Sequence, residues 1–183
     1  ADWLGQSEVF APALATKKLP ARDAESYLRD AISFANDSLY GTLGANILIH
    51  PKTINQIGRK RFEEILAELK YGTIAINAWT GLAFLVTTCP WGGYPNATLQ
   101  DVGSGIGTVH NTFMLENVER TVISAPFRPF PRGVLSRQFT LLPRPPWFIS
   151  NRQQHNVGRL LTRFQYKPSW FKLPRIFAHA LLG

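Results

Sequence analysis

Two side chains near the start of the chain have the types and the spacing to bind one ligand together. Glu8 and Phe10 are separated by a single residue, and Pro12 follows them. Side chains two apart in an extended segment point to the same face, and a proline disfavours helix at the residue before it. The carboxylate can therefore accept hydrogen bonds from a ligand while the ring lies flat against it. The alternative is an ordinary half-buried strand with an acid on its surface.

Two other residues carry reactive groups, and the sequence favours a structural role for both. Cys89 is the single cysteine of the chain, it precedes Pro90, and no base is evident beside it. A lone cysteine is more often a small buried side chain than a thiolate. His110 has no sequence neighbour that would orient its imidazole for proton transfer. No spacing of histidines, cysteines and carboxylates indicates a metal site.

The composition indicates one globular domain with an appendage. The chain has 183 residues, of which 45% are hydrophobic, and this suffices for one core. No apolar run approaches the roughly 20 residues that a membrane-spanning helix needs. One cysteine excludes an intrachain disulfide framework, and no signal peptide is visible, so we expect a cytoplasmic protein.

The net charge of +8 is distributed unevenly along the chain. Residues 1–126 carry ten Lys and Arg against twelve Asp and Glu, whereas residues 127–183 carry ten Lys and Arg and no acid. Such an asymmetry usually marks a boundary between functional or architectural parts. We therefore divide the chain into a domain at residues 1–126 and a basic, proline-rich and aromatic-rich extension at residues 127–183.

Hydrophobic periodicity predicts the elements that must position these residues. Strands are predicted at residues 8–19, 45–50, 73–79 and 118–123. Between the first three lie two amphipathic helices, for which Asp23 and Thr53 are the candidate N-caps. The order strand, helix, strand, helix, strand predicts an α/β fold with a mainly parallel sheet, followed by an irregular tail. Ligands of such sheets bind at the carboxyl ends of strands, where Asn77 and Trp79 lie.

Five short motifs follow one another between residues 7 and 125. They are Glu8-Val9-Phe10-Ala11-Pro12, Ala35-Asn36-Asp37 with Tyr40-Gly41, Tyr71-Gly72-Thr73 running to Asn77, Pro90-Trp91-Gly92-Gly93, and Ser104-Gly105-Ile106-Gly107. In order and rough spacing they resemble the C-terminal part of the aldehyde dehydrogenases. The resemblance implies an NAD- or NADP-dependent oxidoreductase that converts an aldehyde to an acid. Members of that family are commonly dimers or tetramers, and residues 118–123 are the candidate strand for joining a partner's sheet.

The resemblance also implies roles for single residues. At the matching positions of the family, the acid holds the hydroxyls of the nicotinamide ribose and the phenylalanine contacts the nicotinamide ring. Glu8 and Phe10 are therefore the candidate cofactor-binding residues. Asn77 and Trp79 are the candidate walls of the substrate tunnel, with Phe84 as a further one.

The resemblance further implies that the reacting groups lie outside this chain. In the family, the nucleophilic cysteine, the general-base glutamate and the nucleotide-binding domain all precede the first of the five motifs. We therefore expect a C-terminal fragment without a catalytic residue and without activity by itself. Trp91 replaces a phenylalanine of the family pattern, and ten residues separate Gly93 from Ser104. These departures leave the aldehyde unidentified, and a non-catalytic interaction module that keeps the fold is the alternative function.

Three interpretations stay open for the basic extension at residues 127–183. It wraps a neighbouring subunit or further domains of its own protein, it lies on an anionic membrane, or it binds nucleic acid, which we favour least. Its aromatic side chains agree with the first interpretation. Its leucines and phenylalanines interspersed with arginines agree with the second.

Overall fold

The computed structural model describes residues 5–110, 114–127 and 151–182. The chain divides into two compact units, Ala1–Phe127 and Arg128–Gly183. The first unit is a mixed α/β structure built on a small parallel sheet, and most of the described part of the second is helical.

Three parallel strands form the sheet of the first unit. They are β1 (Gly44–Ile47), β2 (Thr73–Ile76) and β5 (Thr121–Ser124), in the order β1-β2-β5. All four residues of β2 are buried, as expected for the central strand of a parallel sheet covered on both faces. The short strands β3 (Trp91–Gly92) and β4 (Thr108–Val109) pair separately in an antiparallel ribbon.

Helix α1 (Ala24–Ser38) begins where its sequence predicts. The Asp23 side chain accepts a hydrogen bond of 2.8 Å from the Ser26 backbone N–H. In return, the Ser26 hydroxyl accepts one from the Asp23 backbone N–H. This reciprocal capping satisfies donors that the first turn would otherwise leave free, and it confirms Asp23 as the N-cap.

The predicted second helix is two helices. Helix α2 (Pro51–Ile57) and helix α3 (Arg59–Ala67) are separated by Gly58, whose φ of 90° no helix accepts. The prediction of Thr53 as the N-cap is wrong, because Pro51 already occupies the first turn, where its missing N–H costs nothing. His50 is the cap, and its Nδ1 accepts a hydrogen bond from the Lys52 backbone N–H.

The core of the first unit lies between these helices and the sheet. Its members are the apolar stripes of α1 and α3, the segment after α3 and the buried face of β2. They are Ile32, Phe62, Ile65, Leu66, Leu69, Tyr71, Ile74 and Ile76. Short α4 (Gly81–Leu85) follows β2 and buries Ala83.

The opening segment differs from its prediction. Residues 8–20 form no strand, and the Phe10 side chain is 92% exposed. A strand needs a partner for its backbone groups, and Pro12 and Pro20 each remove one donor from such a ladder. The small residues between them offer little apolar surface to bury. Among the described residues, the first α-helix or strand of this unit is therefore α1.

The strand predicted at residues 118–123 is β5, shifted to Thr121–Ser124. It pairs in parallel with β2 of the same chain, with Thr121 opposite Thr73 and Ser124 opposite Ile76. Its other edge has no strand partner in the described part of the chain. That free edge is the place where a partner's strand would have to pair.

The described part of the second unit, residues 151–182, is a helical hairpin. Helix α5 (Gln154–Tyr166) is followed by a 3₁₀ turn (Trp170–Lys172) and by helix α6 (Leu173–Leu181). Val157 and Ile176 are buried, one in each helix. The prediction of an irregular tail is wrong for these residues, because both helices have one apolar stripe despite the surrounding prolines. Within the described ranges, no helix combines the length and the apolarity that crossing a bilayer requires.

Candidate functional site

A groove of about 580 Å³ lies on the first unit, where three separate stretches of sequence meet. The residues that line it come from the opening segment, from the segment that leads into β1 and from the loop before β4, together with Tyr71; they are Gly5, Ser7, Glu8, Leu39, Tyr40, Gly41, Leu43, Gly44, Tyr71, Gly103 and Ser104. Residues 39–44 lead into β1 and Tyr71 leads into β2, so the groove lies at the amino ends of these strands and not at the carboxyl ends that the sequence favours. Its volume lies in the range of small-molecule sites.

Backbone and hydroxyl hydrogen bonds hold the groove together. The Tyr40 N–H donates to the Gly5 carbonyl at 2.7 Å and fixes the opening segment. The Thr42 N–H donates to the Ser104 hydroxyl oxygen, also at 2.7 Å, across 62 positions of sequence. The first bond joins Tyr40 of the second motif to Gly5, which lies just before the first motif. The second joins Ser104 of the fifth motif to Thr42, which directly follows the second motif, so the groove walls have a defined geometry.

The other motifs are tied to the same region. The Asn36 side chain donates to the Glu68 carbonyl at 2.8 Å and accepts from the Lys70 N–H at 2.9 Å. It thereby positions the chain just before Tyr71. The Gly72 N–H continues the connection by donating to the Thr42 carbonyl at 2.8 Å.

Two of the motif glycines permit backbone contacts that no other residue would allow. A Cβ on Gly72 would stand 2.0 Å from the Gly92 carbonyl oxygen, and a Cβ on Gly92 would stand 2.5 Å from the Gly107 oxygen. Both distances are far inside van der Waals contact, so glycine is required at both positions. The third, fourth and fifth motifs are therefore packed backbone against backbone.

The structure separates the two candidate cofactor-binding residues. Glu8 lines the groove with an exposed side chain, and within the described residues its carboxylate has no hydrogen-bond or ionic partner. Phe10 lies outside the groove lining and is almost fully exposed. The groove thus offers a carboxylate that, within the described residues, is free to accept hydrogen bonds from hydroxyl groups, and Ser104 belongs to the same lining.

The candidate tunnel residue Asn77 has a clear structural contact. Its side-chain oxygen accepts from the Ile49 N–H at 2.8 Å, and its side-chain nitrogen donates to the Ile49 carbonyl at 2.9 Å. Its φ of 55° is one that asparagine tolerates better than most residues. Asn77 therefore links the ends of β1 and β2, and both of its polar groups are used in doing so.

The loop after β2 folds back over the sheet toward the groove. The Thr80 side chain would lie 3.2 Å from a Cβ on Gly44, which is itself a groove residue. The half-exposed indole of Trp79 covers Gly81, because a Cβ there would meet the ring at 2.4 Å. Neither Trp79 nor Asn77 lines the groove, although the loop that carries Trp79 reaches its border.

Phe84 belongs to an aromatic group that the sequence did not predict. Its ring lies 5.5 Å from the Trp91 ring in an edge-to-face arrangement and 5.0 Å from the His110 ring. Among the described residues, the buried His110 Nδ1 has no hydrogen-bond partner. The group is an apolar surface with one unpaired ring nitrogen.

Cys89 is a half-buried free thiol in the loop between α4 and β3.

A second cluster that the sequence did not predict consists of Tyr94, Glu119 and Arg120, and it stabilises the fold. The Tyr94 hydroxyl donates to Glu119 at 2.5 Å, and Arg120 forms an ion pair with the same carboxylate at 2.8 Å. The hydrogen bond raises the pKa of Tyr94 and lowers that of Glu119. Arg120 also donates to three backbone carbonyls at the end of α3, those of Leu66, Ala67 and Leu69. These bonds satisfy acceptors that the helix end leaves free.

The groove offers groups that can bind and orient a ligand. Its described lining contains a carboxylate and hydroxyls but no thiol, imidazole or amine. In the described part of the chain, no three His, Cys, Asp or Glu side chains come close enough together to hold a metal ion. Hydrogen bonding to a hydroxylated ligand is therefore the chemistry that its residues support.

Comparison with known proteins gives no relative for this chain. No protein-family model, no curated protein and no solved structure matches it.

Proposed function

We propose that this chain is the C-terminal part of an NAD(P)-dependent oxidoreductase of the aldehyde dehydrogenase type. Glu8 binds the hydroxyls of the nicotinamide ribose in the groove. The mutual packing of the five motifs carries this proposal, because motifs spread over about a hundred residues line one groove or support its walls. In this proposal Trp79 and Phe84 face the aldehyde, and Asn77 supports the loop that carries Trp79.

The groove residues fit part of such a cofactor. Glu8 is exposed and unpaired in the described structure, so no existing contact has to break before it accepts two vicinal hydroxyls. Each hydrogen bond to a charged acceptor contributes about 1.5–3 kcal/mol. The cofactor supplies the hydride acceptor, and the chain orients its ribose. Phe10, which is exposed two residues away, is free to turn toward the nicotinamide ring.

The reacting thiol and its base belong to another part of the protein in this proposal. We therefore expect no aldehyde turnover by the 183-residue chain with NAD or NADP. In a longer chain that contains them, Glu8→Ala slows hydride transfer far more than it changes aldehyde binding. An unchanged rate of hydride transfer in that variant would remove Glu8 from the site.

Ligand binding by the chain itself can be measured with nicotinamide mononucleotide as the probe. We expect saturation transfer from the protein to the nicotinamide and ribose protons in ligand-observed NMR. Glu8→Ala should weaken binding at least about tenfold, because it removes charge-assisted hydrogen bonds. Glu63→Ala is the matched control, since Glu63 is exposed on α3 away from the groove. Absence of transfer to the wild-type chain, or equal transfer to both variants, contradicts the proposal.

A homo-oligomer and a cytoplasmic location are part of the same proposal. The unpaired edge of β5 supports the first, because a free strand edge in a parallel sheet can accept a partner's strand. The half-exposed Val122 lies in that strand. The single free thiol agrees with a reducing compartment.

A further inference from the structure

The helical hairpin of the second unit combines positive charge with a complete lack of acids. Residues 151–182 contain six basic side chains and no Asp or Glu. They are Arg152, Arg159, Arg163, Lys167, Lys172 and Arg175. With no internal counter-charge, this surface attracts an anionic partner.

Large aromatic side chains stand at the turn between the two helices. Tyr166 is 92% exposed, Trp170 is 84% exposed and Phe171 is 96% exposed. Tyr166 ends α5, and Trp170 and Phe171 lie in the turn that follows. Exposed apolar side chains grouped in this way are typical of an interaction site. Phe177, Leu181 and Leu182 extend the exposed apolar surface along α6 and just beyond it.

Two of the three rings and several of the basic side chains line one groove. It has a volume of about 680 Å³, and its lining is mainly apolar. Tyr166 and Phe171 belong to that lining together with Arg163, Lys167 and Arg175. The cations therefore surround an apolar centre, which is the arrangement of a surface that binds apolar groups carrying anionic heads.

The turn that carries the rings is held in place. The Lys172 ammonium group donates to the Arg163 carbonyl at 3.0 Å and to the Lys167 carbonyl at 2.6 Å. It thereby caps the carboxyl end of α5, where a positive charge is favourable. Trp170 and Phe171 are consequently presented outward by a fixed turn.

We propose that this hairpin docks on the surface of an anionic phospholipid bilayer. Trp170, Phe171 and Tyr166 enter the interface between headgroups and acyl chains, where aromatic rings are favoured. Arg163, Lys167 and Arg175 lie at the level of the headgroup phosphates.

The aliphatic surface distinguishes a bilayer from nucleic acid. Single-stranded nucleic acids bind through aromatic stacking and phosphate contacts, which would engage Trp170 and the arginines. They would leave Leu181 and Leu182 exposed, whereas an acyl layer also covers these side chains. The proposal uses residues of the second unit alone and does not depend on the function proposed for the groove.

Vesicle flotation of the full 183-residue chain tests the proposal. We expect the chain to float with vesicles of phosphatidylcholine mixed with phosphatidylglycerol and not with phosphatidylcholine alone. Binding should fall as salt is raised, because the charge contribution is screened. The double variant Trp170→Ala, Phe171→Ala should bind the anionic vesicles at least about tenfold more weakly, because it removes most of the inserted apolar area.

Matched variants show whether vesicle binding depends on the hairpin itself or on any exposed apolar or basic side chain of the protein. Leu48→Ala with Leu99→Ala removes exposed apolar side chains from the first unit and should leave vesicle binding unchanged. Arg163→Gln with Lys167→Gln should reduce binding, whereas Arg59→Gln with Lys60→Gln on α3 should not. Circular dichroism verifies that each variant keeps its helix content.

Four results would overturn the proposal. The first is a folded wild-type chain that fails to float with anionic vesicles at low salt. The second is equal binding to vesicles with and without phosphatidylglycerol. The third is tighter binding to single-stranded RNA than to anionic vesicles at the same salt. The fourth is self-association in light scattering that Trp170→Ala with Phe171→Ala abolishes, since a second copy would then cover the surface.

Discussion

The two units of this chain differ in the size of the apolar core that their described residues build. The first unit closes the apolar faces of α1 and α3 over β2, so that Ile65 and Ile74 lose all contact with solvent. The second unit buries Val157 and Ile176 but presents Trp170 and Phe171 to solvent. Apolar surface left exposed contributes nothing to folding, whereas it is available for binding. Substitutions should therefore affect stability in the first unit and association in the second.

The two units also differ in how far their charged side chains can pair within the unit. In the first unit Glu25 pairs with Arg29 at 3.2 Å and with Arg61 at 2.9 Å, which links α1 to α3. The basic residues of the described hairpin have no carboxylate of their own unit to pair with. Part of the charge of the first unit is therefore balanced within that unit, whereas the second unit has no Asp or Glu that could balance its own.

The largest expected effect comes from comparing a buried side chain of the first unit with an exposed ring of the second unit. Ile74→Ala removes a side chain without solvent exposure from the central strand and should lower the free energy of unfolding by about 2–5 kcal/mol. Phe171→Ala removes a larger side chain that is almost fully exposed and should change it by less than about 0.5 kcal/mol. Urea denaturation of the full chain, followed by circular dichroism, measures both. Equal losses would mean that Phe171 is part of a core.

Two glycines provide a matched pair of intermediate effect. Gly72→Ala places a methyl group against the Gly92 carbonyl and should destabilise the first unit by about 1–3 kcal/mol. Gly158→Ala, in the interior of α5, has open space and should stabilise that helix by about 0.5–1 kcal/mol. Amide hydrogen exchange should become faster in β2 for the first variant and slower in α5 for the second. Changes of the same sign would contradict the packing described for Gly72.

Local signals in the sequence predicted the elements whose causes are local. Asp23 followed by an amphipathic stripe predicted α1, and the apolar run beginning at Thr73 predicted β2. The opening segment shows the limit, because its alternation resembles a strand while strand formation depends on a partner elsewhere in the chain. Helix α2 starts earlier than the predicted cap Thr53, because a proline that follows a strand can also be the first residue of a helix, as Pro51 is.

The candidate site was predictable in residue type but not in arrangement. Glu8 was identified from its motif, whereas the bond between Thr42 and Ser104 joins residues 62 positions apart and has no local signal. The contacts of Arg120 with the end of α3 also depend on the sheet order that brings β5 beside β2. Long-range pairing of this kind follows from the packed fold and not from periodicity.

The smallest expected effect concerns the pH dependence of α1. The backbone N–H of Ser26 holds the pKa of Asp23 below its ordinary value of 3.8, because it stabilises the charged carboxylate. A carboxyl group with a lowered pKa in the folded state stabilises the fold above its unfolded pKa, and this contribution is lost as the pH falls through the folded value. Asp23→Asn keeps an acceptor at the N-cap but cannot titrate. Its urea midpoint should therefore fall less steeply than that of the wild type below about pH 4. The difference in stability between the two proteins should be smaller than the change that either glycine variant produces. Parallel midpoint curves for the two proteins would show that Asp23 does not contribute to this pH dependence.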